Sequence, residues 1–106
     1  MNSEQAIFEI IANAGDARDL TYQALDQVAE GNIEKAFELV EQAEKTMDQA
    51  HNAQTKLIQQ EIQGEKVDGS LLMVHAQDHL MTAISEHQMV KRMLPIFKKL
   101  MKAEAK

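Results

Sequence analysis

His75, Asp78 and His79 lie at i, i+3 and i+4 in the run "LLMVHAQDHLMTA", residues 71–83. On a helix all three share one face. Two imidazoles at i and i+4 can share a transition metal, with the carboxylate as a further ligand. A neutral imidazole can instead attack phosphorus and form a phosphohistidine reactive enough to pass the group onward. The third reading is structural: a histidine on a partly apolar helix face is commonly hydrogen-bonded and inert. Two imidazoles and a carboxylate together weigh against it, because the desolvation costs of polar groups add. The helical zinc-protease motif is excluded, since Ala76 stands where its general-base Glu would be. The chemistry leaves three function classes open: a phosphoryl carrier, a metal-binding bundle and a structural helical adapter.

The chain around this trio has 106 residues, enough for one domain with one core over residues 1–106. Aromatic residues make up 4%, with one Pro and four Gly, a composition that favours helices over a sandwich or barrel. A formal net charge of −6 makes nucleic acid a poor partner. With no cysteine, disulfides, thiol catalysis and thiolate metal sites are excluded. The N-terminal "MNSEQAIFEIIANAGD" lacks the basic and long apolar segments of a signal peptide, and no apolar stretch approaches the ~20 residues of a membrane span. A soluble, cytoplasmic protein without membrane insertion is expected.

Punctuation falls at two places. In "EGNIE", Gly31 can end one helix in the left-handed conformation and Asn32 can cap the next. In "QGEKVDGS", residues 63–70, Gly64, Asp68 and Gly69 break the chain and Ser70 can cap a third helix. Helices are expected from about Ser3 to Glu30, Asn32 to Gln63 and Ser70 to Lys102, forming an all-α, antiparallel up-down-up three-helix bundle. The core stripe of the first is Ile7, Ile10, Ile11, Ala14, Ala17, Ala24, Leu25 and Val28. That of the second is Ile33, Ala36, Phe37, Val40, Ala43, Met47, Ala50, Leu57, Ile58 and Ile62. Pro95, inside the third, removes a hydrogen bond to the Lys91 carbonyl and predicts a kink.

The third helix is anomalous. At ~100° per residue, Leu71, Leu72, Asp78, His79 and Thr82 cluster around His75. Glu86, Met89, Val90, Met93, Phe97 and Leu100 extend that face, while Met73, Leu80 and Ile84 lie opposite and Val74 and Met81 flank it. Its first half is apolar nearly all round, more than a three-helix monomer can cover. An oligomer packed through this helix is expected.

The segment "VHAQDHLMTA" resembles the active-site segment of IIA proteins of the lactose/cellobiose (N,N'-diacetylchitobiose) family of the bacterial phosphoenolpyruvate-dependent sugar phosphotransferase system (PTS). "NAGDAR" at 13–18 and "DQAHNAQTKLI" at 48–58 extend the likeness, in order, over essentially the whole chain. The resemblance implies a homotrimer with nine helices. It implies that His75 accepts a phosphoryl group on Nε2 from the histidine phosphocarrier protein HPr and donates it to a cysteine of the sugar-specific IIB component during disaccharide uptake. It further implies that Asp78 from three subunits meets at the trimer axis around a shared Mg2+, and that His79 assists as an auxiliary residue. With no Cys in this chain, the acceptor must lie elsewhere. The disaccharide is not legible in the residues.

Other residues read less sharply. Gly15 inside a helix costs ~1 kcal/mol against alanine, and either permits a close helix approach or leaves room for a partner. Arg18 could meet phosphate, but an exposed, solvated Arg is the ordinary case. His51 and Gln54 share a face and either line the pocket across a subunit boundary or are solvated. Gln77 points ~160° from His75 and is given no catalytic role. Lys98, Lys99 and Lys102 are read as complementing the third helix's C-terminus, with lipid binding the weaker alternative because the cluster is short and the chain acidic.

Overall fold

In the computed structural model, residues 3–67 and 70–104 are described; Asp68 and Gly69, two of the expected breakers, lie outside them. The chain folds into α1 (Ser3–Ala29), α2 (Ile33–Ile62) and α3 (Leu71–Glu104). The described part measures 61 × 19 × 18 Å, a slender rod. None of the described helices is long and apolar enough to cross a membrane.

Both helix ends before the turns use the same device. Gly31 has φ +86° and Gly64 φ +88°, conformations open to glycine without a Cβ penalty. At the first turn Gly31 N–H donates to Val28 C=O and Asn32 N–H to Gln27 C=O. At the second, Gly64 N–H donates to Glu61 C=O and Glu65 N–H to Gln60 C=O. Each is a Schellman pair, which satisfies carbonyls the helix would otherwise leave open. Ser70 caps α3 as expected, its Oγ accepting from Met73 N–H at 3.2 Å. Asn32 corrects its expectation: it holds the cap position of α2 but makes no side-chain cap bond. Its amide donates to Gln27 Oε1 instead, at 3.0 Å. α3 continues through exposed Pro95 to Glu104.

The core has two parts along the rod. The first joins the start of α1 (Ile7, Ile10, Ala14), the end of α2 (Ala50, Ala53, Leu57) and the start of α3 (Met73, Ala76, Leu80). The second joins Ala24 of α1, Ala36, Leu39 and Val40 of α2, and Val90 and Leu94 of α3. This pairing of starts with ends is the antiparallel up-down-up arrangement. Alanines at 6, 14, 17, 50, 53, 76 and 83 let the helices close around the first part. Two expected core residues differ: Ile58 and Ile62 are exposed. On the helix they lie ~100° and ~140° around from buried Leu57. Leu39 and Ala53, absent from the expected stripe, are buried.

α3 buries Met73, Ala76, Leu80, Ala83, His87, Val90 and Leu94. That face is centred roughly 100° around the helix from His75. The extended His75 face is therefore split. Val90 enters the core and Phe97 packs against it, while Met89 and Leu100 are exposed. Leu71, Val74, Met81 and Ile96 are exposed as well, so the surplus apolar surface expected of this helix is present. Lys98 departs from its expected role. It pairs with Glu34 at 3.4 Å and lies over the Phe37 ring, 5.6 Å from its centroid, tying α3 to the start of α2.

Candidate functional site

The first three turns of α3 set the site. Burial of Met73, Ala76 and Leu80 fixes the helix's rotation, and that rotation turns His75 and Asp78 outward and leaves His79 half-buried. The rings of His75 and His79 stack, with centroids 5.7 Å apart and planes 11° from parallel. Asp78 stands on the same side, with Leu71, Leu72, Val74 and His75 around a shallow, open apolar concavity. The three residues singled out by spacing are thus adjacent, with different surroundings.

His79 is held from α1. Arg18, half-buried rather than solvated, reaches across to α3. Its Nε donates to Glu86 Oε1 at 2.6 Å and its Nη2 to Oε2 at 3.3 Å. Its Nη1 lies 3.4 Å from His79 Nδ1. Arg can only donate, so His79 Nδ1 accepts. On the other side of the ring, a Cβ at Gly15 would come 3.4 Å from His79 Nε2, so Gly15 is the close approach that its place in α1 suggested. Burial holds the His79 imidazole below its ordinary protonation range; Arg18 and His75 push the same way and Asp78 opposes. The ring beside His75 therefore favours its neutral form.

The α2 side contributes differently. Gln54 donates its amide to Gln77 Oε1, joining α2 to α3. Gln77 also points an amide N–H at Met73 Sδ, 4.0 Å away. Its placement away from His75 agrees with the wheel. His51 is exposed, beside Glu44, Met47, Asp48, Ile84 and Gln88. Among the described residues no three His, Asp or Glu groups gather to hold a metal within one chain.

Two features escaped the sequence reading. The partnership of Arg18 with Glu86 was one, although Glu86 lies seven residues beyond His79 on the same face and Gly15, Arg18 and Tyr22 form an i, i+3, i+7 stripe on α1. Matching those stripes would have found it. The other is His87, fully buried between the two core parts, with Nε2 3.0 Å from Val40 C=O and Nδ1 unpartnered.

The three-helix bundle with paired imidazoles near the start of α3 is shared with IIA components of the sugar phosphotransferase system, the class to which the chain's relatives belong. Within it, the chain belongs to the lactose/cellobiose-specific IIA subunit family, whose model matches residues 5–98. The lactose-specific EIIA component of Staphylococcus epidermidis is 42% identical over 92 residues, covering 87% of this chain and 88% of that protein. The cellobiose-specific enzyme IIA of Bacillus anthracis superposes with a TM-score of 0.89 at 40% identity, covering 100% of this chain and 94% of that one. IIA(chitobiose) of Escherichia coli, solved in complex with HPr, has a TM-score of 0.76 at 34% identity, covering 94% of this chain and 97% of its own. The protein is therefore a PTS IIA component of lactose/cellobiose type, a phosphotransfer protein.

Proposed function

We propose that His75 is the phosphoryl carrier. The observation that carries this reading is an exposed imidazole stacked on a second, half-buried one that is held from α1 and favours its neutral form. HPr, the partner of the chitobiose relative, is the proposed donor. His75 Nε2 attacks phosphorus, and the N–P bond to the donor's histidine breaks as the new N–P bond forms. In the second step a cysteine thiolate of the IIB component attacks, the His75 N–P bond breaks and an S–P bond forms. His75 returns neutral, ready for the next cycle. The process served is sugar uptake, with a disaccharide such as lactose, cellobiose or chitobiose in line with the names of several relatives.

The working form is a homotrimer in this reading. Leu71, Val74, Asp78, Met81 and Ser85 are spaced alternately by three and four residues, the pattern of a helix seam. Leu71, Val74 and Met81 are 84%, 58% and 57% exposed in the single chain, surface that association would cover. Asp78 falls in the middle of that seam. One carboxylate is too little to hold a cation, whereas three around an axis present hard oxygen donors that suit Mg2+. Asp78 from each subunit would hold the ion, which supplies charge neutralisation at the axis. The transfer steps at His75 do not pass through it.

The test is direct. Incubated with phosphoenolpyruvate, enzyme I and HPr, the protein should gain one phosphoryl mass in an acid-labile, base-stable linkage. His75→Ala should remove that gain with helicity retained, and His79→Ala should slow it. Full-rate labelling of His75→Ala would overturn the assignment. A metal-binding or adapter role predicts no labelling of the parent protein.

A further inference from the structure

We propose that Arg18, clamped by Glu86, is a positioning residue for transfer at His75, acting through the tautomer of His79, and that Gly15 keeps the donor nitrogen of that ring uncovered. The proposal rests on His75 being the carrier. Arg18 spends two N–H groups on Glu86, at 2.6 and 3.3 Å, which fixes the guanidinium plane across the α1–α3 seam. The remaining Nη1 faces His79 Nδ1 at 3.4 Å. Because Arg has no acceptor, Nδ1 must carry a lone pair, and in the neutral ring the proton sits on Nε2. Without Arg18 nothing on α1 selects that tautomer.

Nε2 of His79 borders a groove lined by Gly15, Arg18, Asp19, Tyr22 and His79 itself. Any side chain at position 15 begins 3.4 Å from that nitrogen. Glycine inside α1 weakens the helix, and leaving Nε2–H open to the solvent side is the return on that cost. A free anion has little to hold it in this groove, since Glu86 already neutralises Arg18 and Asp19 shares the rim. A phosphoryl group fixed covalently on the stacked His75 ring is different: it arrives beside Nε2–H and receives a hydrogen bond. No proton is transferred to or from His79 in either step. Its N–H steadies phosphoryl oxygens while the N–P bond on His75 forms and breaks.

The experiment pairs imidazole nitrogen NMR in mildly alkaline buffer with single-turnover transfer from phosphorylated HPr. The parent protein should show His79 protonated at Nε2 and lone-paired at Nδ1. Arg18→Ala should lose that preference and slow transfer about tenfold, the value of one hydrogen bond to a charged group. Arg18→Lys, which keeps a donor, should recover part of both. Gly15→Ala should melt higher than the parent yet transfer more slowly, a split that a merely structural glycine would not give. If Arg18→Ala unfolds, Glu86→Gln and Gly15→Ala carry the test. An unchanged tautomer, or an unchanged rate with a changed tautomer, would overturn the proposal. His75→Ala labelled at full rate would instead overturn the carrier reading beneath it.

Discussion

The two faces of α3 differ in how far one subunit covers them. The face turned into the bundle includes His87, fully buried with one ring nitrogen unpartnered. The face turned outward carries Leu71, Val74, Met81, Met89 and Ile96. A helix serving only an isolated subunit would keep its apolar residues on the inner face alone. The inner face is complete within one chain, with Ala76, Leu80, Ala83 and Leu94 at 0% exposure. The outer face lacks an inner partner. His75 lies between the two, exposed, so that the proposed association through the outer face would leave it accessible.

Substituting adjacent residues on the two faces gives the largest contrast. Leu80 has no exposure and sits in the first core part. Leu80→Ala should cost about 2–5 kcal/mol and lower the helical melt whatever the oligomeric state. Met81, one residue on, is 57% exposed. Met81→Asp should leave the subunit helical but abolish association, so that light scattering reports the 11.9 kDa subunit where the parent gives about three times that mass. Equal effects of both substitutions on the melt alone, with the parent monomeric, would mean that the outer face packs against nothing.

How far the residues announced this arrangement differs by element. The three helices were legible because the apolar positions keep helical spacing and two glycines sit where left-handed ends are needed. The surplus apolar surface of α3 was legible for the same reason. The direction of α3's buried face was not. Val90 and Phe97 share a side of the wheel with His75, and only the packing of Ala76 and Leu80 on α1 and α2 decides which flank turns inward. At the site, the i, i+3, i+4 spacing located His75, Asp78 and His79. The clamp of Arg18 on Glu86 spans 68 positions, so it is legible only when the stripes of α1 and α3 are matched and not from either residue's neighbours. Charge alone left Arg18 looking like a solvated side chain.

A smaller effect sharpens the outer face. Three Asp78 carboxylates brought to one axis repel each other, and a divalent cation would offset that repulsion. Asp78→Leu should raise the melting temperature of the proposed trimer in chelator and remove its dependence on magnesium, while His75 still accepts phosphate. A Leu variant that melts below the parent in chelator would show that Asp78 is not an axial carboxylate.

The smallest effect belongs to the border between α3 and α2. Lys91 Nζ reaches Glu44 Oε1 at 3.0 Å, with the two side chains 48% and 43% exposed. The hydrogen bond from Lys91 holds the Glu44 carboxyl below its ordinary value; desolvation opposes, and the charges of Lys91 and His87 add to the lowering. A carboxylate whose folded value is depressed stabilises the fold above its unfolded value and loses that contribution as pH falls through the folded one. Solvent screening keeps the pair weak, so a double-mutant cycle with Glu44→Gln and Lys91→Met should give a coupling of about 0.2–1 kcal/mol at neutral pH. That coupling should fade under acid conditions and shrink in high salt. A coupling that grew on acidification would mean the stabilisation comes from packing of the two side chains, and that the α2–α3 border is held, like the inner face, by apolar contact.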